Sequence, residues 1–161
     1  MKKFLLALLL APGMACAQQG TFTTKSMTPE TALSAARAAL EHCRKAGYQV
    51  SVAVVDRAGV PQVLLRDRFA GPHTARIAVN KAWTAASFKI PTATLAKETQ
   101  PGMPMSGLRS HPRVLAIGGA LPVEASGSLL GAIGVSGAPG GDADDACAAA
   151  GIKAIAEAIE F

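Results

Sequence analysis

The sequence is short of aromatic residues, of charge and of nucleotide-binding signatures. Aromatic side chains make up 4% of it, with a single tryptophan and a single tyrosine, and charged residues 17%. No Gly-Lys-Ser/Thr or GxGxxG pattern occurs, which excludes the common phosphate and dinucleotide loops. Gly134-Val135-Ser136-Gly137 is not G-x-S-x-G, and no histidine is placed to activate Ser136, so a hydrolase reading is weak. Beyond the first residues no apolar run is long enough for a membrane span. Cysteine is also scarce, at three residues.

What is present begins with an export signal. Lys2 and Lys3 precede the apolar stretch Phe4 to Ala11, and Ala15-Cys16-Ala17 offers an A-x-A cleavage site with Gln18 as first mature residue. A lipidated Cys16 is the alternative, although Gly13-Met14-Ala15 suits it poorly. Residues 1–17 are thus expected to be a signal peptide, 18–27 a flexible lead and 28–161 one domain, in the periplasm or secreted. Removing Lys2 and Lys3 takes the formal charge from +5 to +3, because no acid lies in the first 17 residues. That is too little for a nucleic-acid footprint, and no nucleic-acid partner is expected. An oxidising compartment allows Cys43 and Cys147, on the apolar faces of the first and last helices, to form a disulfide.

The pattern is α+β. Thr28-Pro29-Glu30-Thr31 starts a helix carrying Leu33, Ala36, Leu40 and Cys43, and Gly47 ends it. Val50 to Asp56 and Pro61 to Arg66 read as a hairpin turning at Asp56-Arg57-Ala58-Gly59. A second helix runs from Gly71-Pro72 to Phe88, with Ala75, Ala78, Ala82 and Ala86 along one side. This small-residue stripe suggests a homo-oligomer. A short helix follows Pro91, and then Thr99 to Arg113, with three prolines and two glycines, reads as a long loop. Strands are expected at Val114 to Ile117, Leu121 to Glu124 and Ser128 to Val135, which gives five in all. The last helix, capped by Asp142, carries Cys147, Ala150, Ala154 and Ala158.

The glycine-rich bend Gly137-Ala138-Pro139-Gly140-Gly141, between a strand and a helix start, gathers backbone N–H groups and is a candidate anion site. Ser136, Gly137, Gly140, Gly141 and Arg66 form that candidate set. The plainer reading is a tight turn capped by its own aspartates. His73, at a helix start, and His111, in the long loop with Met103 and Met105 nearby, are candidate ligands for haem iron or another metal. His42 is on the solvent side of its helix. Arg66, Arg68 and Arg76 are candidate partners for propionates, or simply solvated charges.

VAVVDRAG at Val52 to Gly59, VLLRDR at Val63 to Arg68, NKAWTAASF at Asn80 to Phe88, GGALPV at Gly118 to Val123 and GAIGVSGAPGGDADDAC at Gly131 to Cys147 resemble the GlcG/HbpS-like haem-binding family. The resemblance implies an α-β-α layered, profilin-like domain with a five-stranded antiparallel sheet, usually oligomeric and related to domains fused to corrinoid adenosyltransferases. It implies haem as cofactor for some members, with His73, His111 and Met105 as the ligand candidates here. The functional expectation is an exported haem-binding or haem-handling protein, mainly non-enzymatic. The alternative is an accessory protein or enzyme for a small carboxylate such as glycolate.

Overall fold

The computed structural model describes residues 20–160; the expected signal peptide, Cys16 included, lies outside them. Helix α1, Pro29–Lys45, starts as its sequence dictates: Thr28 accepts a hydrogen bond from the Thr31 amide, and Pro29 occupies the first turn, where an N–H would go unused. Gly47, at φ 83°, ends it. Strands β1 (Ser51–Asp56) and β2 (Pro61–Arg66) form the expected hairpin, whose turn is held by the Asp56 carboxylate accepting from the Ala58 and Val60 amides. Helices α2 (Thr74–Phe88) and α3 (Thr92–Glu98) follow, then a short 3-10 helix at Ser106–Ser110, strands β3 (Ala120–Ala125) and β4 (Ser128–Ser136), and helix α4 (Gly141–Ile159).

The sheet has four antiparallel strands in the order β2-β1-β4-β3, not five. Val114 to Ile117 lies outside it because its backbone bonds elsewhere. The Leu115 amide donates to Thr84 Oγ1 on α2 at 3.0 Å, and the Ile117 amide to the Leu115 carbonyl at 3.0 Å. A four-residue apolar run is as compatible with a segment draped over a helix as with a strand.

Alternation along the strands sorts side chains by size. Val52, Val54, Val123, Ile133 and Val135 face α1 and α4, whereas Ala53, Val55, Ala120 and Ala132 face α2. On the second face helix and sheet approach closely, for a methyl group at Gly134 would stand 2.4 Å from the Ala78 carbonyl oxygen. The alanine stripe of α2 is therefore used inside the chain: Ala78, Ala82, Ala85 and Ala86 are buried against the chain's own sheet. Ala75, the first residue of the stripe, is half-buried, as are Ile77 and Trp83.

On the opposite face α1 and α4 pack on each other and on the sheet. Cys43 and Cys147 form a disulfide between them, with Cα atoms 5.6 Å apart. The buried face of α4 is Asp144, Cys147, Ala148, Gly151, Ile155 and Ile159, rotated from the expected alanine row; Ala154 and Ala158 are exposed. Gly151 sets that rotation, lying where a methyl group would meet the Ala35 carbonyl at 2.7 Å. The N-cap is Gly140, two residues before Asp142. In the N-terminal lead, Met27 is buried in the α1–α4 core and its carbonyl accepts from Gln62.

Candidate functional site

The glycine bend after β4 is occupied by the protein's own acids. Asp144 Oδ1 accepts the Ala138 amide at 3.0 Å, and Asp145 Oδ1 accepts the Gly119 amide at 2.7 Å. Asp144 Oδ2 meets Lys81 Nζ at 2.8 Å, and Nζ also donates to the Val135 carbonyl at 3.1 Å. Both side chains of this pair are almost sealed, at 4% and 5% exposure. Burial pushes the Asp144 carboxyl above its ordinary value, against the opposing pull of Lys81 and the Ala138 amide. Burial likewise raises Asp145.

The Ala138 amide of this bend is thus already answered, and an incoming anion would meet two carboxylates. Ser136 is buried, while Gly137 and Gly140 are exposed and Gly141 half-buried. Arg66 belongs elsewhere. It pairs across β1, in the row Arg66, Ser51, Ser136, two strand spacings or about 10 Å from Ser136. Its guanidinium donates to the Ala70 carbonyl.

The Lys81–Asp144 pair is invisible to a motif scan, since 63 residues separate its members. One signal was available: Lys81 shares the helical face of Ala78, Ala82 and Ala85, where a lone cation must be buried and needs a partner.

His73 stands immediately before α2, exposed, with its ring against Gly71. Neither ring nitrogen has a hydrogen-bond partner among the described residues. Around it the chain exposes apolar surface, with Phe69 80% and Leu64 46% exposed. Leu64 and Arg66 point from edge strand β2 to the same side as α2, since they pair with Ala53 and Ser51, and Ser51 Oγ bonds Thr74 Oγ1 at 2.8 Å. Arg68 and Arg76 are also exposed. The segments flanking the start of α2 thus expose an imidazole, apolar side chains and guanidinium groups.

His111 is differently placed. It stacks on Trp83 of α2, with ring centroids 5.8 Å apart and planes 9° from parallel, and the Arg113 guanidinium lies 4.6 Å from the Trp83 ring centroid. The Arg113 amide donates to His111 Nδ1 at 3.2 Å. That bond makes Nδ1 the acceptor, so the neutral ring carries its proton on Nε2. Iron ligation through Nε2 requires the other tautomer and the loss of this bond. Trp83 is ten residues beyond His73, about 15 Å along a helix axis, so His73 and His111 do not converge on one metal. Met105 lies apart from His73 too, in an apolar groove with Phe88, Pro104 and Leu108. His42 is exposed on α1. Among the described residues no three His, Cys, Asp or Glu side chains gather as a metal site, and no helix is long and apolar enough to cross a membrane.

Comparison with solved structures places these features in a known fold. A double mutant of HbpS from Streptomyces reticuli is 41% identical, with a TM-score of 0.79 over 89% of this chain and 97% of that one. The ORFY protein of Klebsiella pneumoniae is 28% identical, with a TM-score of 0.83 over 87% and 97%. A PduOC:heme complex is 32% identical, with a TM-score of 0.77 over 81% and 95%. Among curated proteins, the corrinoid adenosyltransferase PduO of Salmonella typhimurium is 36% identical over 103 residues, 63% of this chain. The chain spans only about a third of that relative, 31% of its length. A family model described as "Haem degrading protein HbpS-like" matches residues 27–153, and the chain belongs to that HbpS-like family.

Proposed function

We propose that this protein is an exported haem-binding or haem-handling protein, mainly non-enzymatic, and that His73 supplies an axial ligand. The observation that carries the reading is the set of side chains exposed around the start of α2. There an exposed imidazole with both nitrogens unengaged sits beside the exposed side chains of Phe69 and Leu64, with Arg66, Arg68 and Arg76 around it. A neutral imidazole can coordinate iron, apolar faces can cover the macrocycle, and guanidinium groups suit propionates. The heme complex of the similar PduOC domain supports the choice of ligand. The buried disulfide supports export to an oxidising compartment. Homo-oligomerisation belongs to this reading on the family resemblance alone, and light scattering tests it.

A haem titration followed by the Soret band tests the assignment. His73→Ala is expected to shift the band and weaken binding at least tenfold, whereas His111→Ala and His42→Ala leave both unchanged. An unchanged His73→Ala spectrum overturns the ligand; loss in Met105→Leu would move the site to the Phe88–Leu108 groove. Non-enzymatic handling predicts a Soret band that persists under oxygen with a reductant. Its decay into an open-chain product would make the protein a haem-degrading catalyst.

A further inference from the structure

We infer a second binding site, for a small oxyanion carrying more than one negative charge, at the end of the domain where the β1–β2 turn meets the C-terminus of α2. A cavity of about 370 Å³ is lined there by Thr23, Thr24, Lys25, Arg57, Lys89 and Ser128, together with Gly127 and Leu129. Its three cations come from three separate segments: the N-terminal lead, the β1–β2 turn and the residue that ends α2. Three hydroxyl side chains share the wall, and no acidic side chain lines it. The nearest acid in sequence, Asp56, is engaged with the Ala58 and Val60 amides. The side chains of Arg57 and Lys89 have no hydrogen-bond or ion-pair partner among the described residues.

The backbone at Lys89 adds a second argument. It is left-handed, at φ 56° and ψ 34°, at the position that ends α2. Glycine or asparagine takes that conformation with less strain, so a lysine there is explained by its side chain. The helix dipole would account for one cation at this end, but not for Arg57 and Lys25 converging on the same cavity. Arg57 and Lys89, like charges without a partner among the described residues, repel one another until an anion enters. Hydroxyl donors beside them suit the oxygens of a phosphoryl group or of a di- or tricarboxylate. A macrocycle as large and apolar as haem does not match these walls. The site lies at the opposite end of α2 from His73, and the inference does not depend on haem binding.

Calorimetric titration of the mature protein with inorganic phosphate, citrate and acetate, at one fixed ionic strength, tests it. Saturable binding of one phosphate or one citrate per chain is expected, with acetate giving none. Phosphate alone would mark a phosphoryl ligand, and citrate alone a polycarboxylate. Lys89→Gly keeps the left-handed backbone while removing the charge, and Arg57→Gln removes another. Each should weaken binding about tenfold, whereas Lys153→Gln on α4 leaves it unchanged. The haem titration should be the same in all three variants. Binding no stronger than that of acetate overturns the inference, as does binding that survives both Lys89→Gly and Arg57→Gln.

Discussion

Replacing Lys81 with methionine tests the buried pair that ties α2 to α4. Methionine keeps much of the lysine's length but leaves Asp144 with no counter-ion in a site where its side chain is 5% exposed. Breaking a buried pair by removing one partner costs about 3 to 5 kcal/mol, because an uncompensated charge remains. At 2 to 4 °C per kcal/mol for a chain near this size, that lowers Tm by roughly 10 °C. The loss should depend on pH in a definite sense. Asp144 already sits above its ordinary value of 3.8 because burial disfavours its charge. A carboxyl raised in the folded state binds its proton more tightly there than in the unfolded chain. Its ionisation therefore subtracts stability as pH climbs from about 3.8 to the higher folded value. Without the Lys81 ammonium that window extends upward. The defect of Lys81→Met should be largest at neutral pH and shrink on acidification, as Asp144 takes up a proton. Asp145, raised first by burial, also loses the weaker attraction of Lys81 and adds to the difference in the same sense. Urea unfolding of both proteins from pH 8 to pH 4 measures it. A defect under about 1 kcal/mol, or one constant across that range, refutes the reasoning. The double replacement Lys81→Met with Asp144→Leu should recover much of the loss.

Thiol counting under denaturing, non-reducing conditions should find Cys43 and Cys147 unreactive. Their joint replacement by alanine should cost about 2 to 5 kcal/mol, with the chain-entropy value for a loop of this length near the top of that span. Gly134→Ala should destabilise by about 3 kcal/mol or more in thermal melts, because its methyl group would meet backbone atoms of Ala78 and Ala82 that cannot move aside. Asp67 is held below its ordinary value, first by its hydrogen bond from Arg44. Its contribution is present above about pH 4 and lost as pH falls through the lower folded value. The stability gap between wild type and Asp67→Asn should therefore close in acid, and a gap that persists at pH 2 would contradict this.

Local signals were legible in the sequence. Thr28-Pro29 fixes the start of α1, Asp56 to Gly59 fixes a hairpin, and both cysteines fall on buried helix faces. The long-range choices were not. Val114 to Ile117 has a strand's composition, and only the hydroxyl of Thr84, 31 residues earlier, shows where its backbone bonds. The α2 alanines showed small side chains but not which surface they meet. Gly134 decides that, by letting the helix settle on the sheet. At the bend, the aspartates in the first turns of α4 were visible as acids. That one of them takes the Ala138 amide of the bend, and the next the amide of Gly119 from another segment, is a tertiary choice. Among the candidate ligands, spacing could not separate His73 from His111, and a single backbone amide distinguishes them.

The strand order carries a consequence for how the chain is assembled. In β2-β1-β4-β3, strand β4 is the only neighbour of β3 and the second neighbour of β1. Until residue 136 is available, the sheet is a lone hairpin, which is marginal by itself in water. Cys43 must also wait for Cys147, 104 residues later. A chain delivered from its N-terminus therefore has no stable halfway structure. Its closure is a single late event, in which the central strand, the covering helix and the cross-link arrive almost together. Until then α1 exposes an apolar face and a free thiol, which makes the interval before β4 the period of greatest risk from aggregation and mispairing.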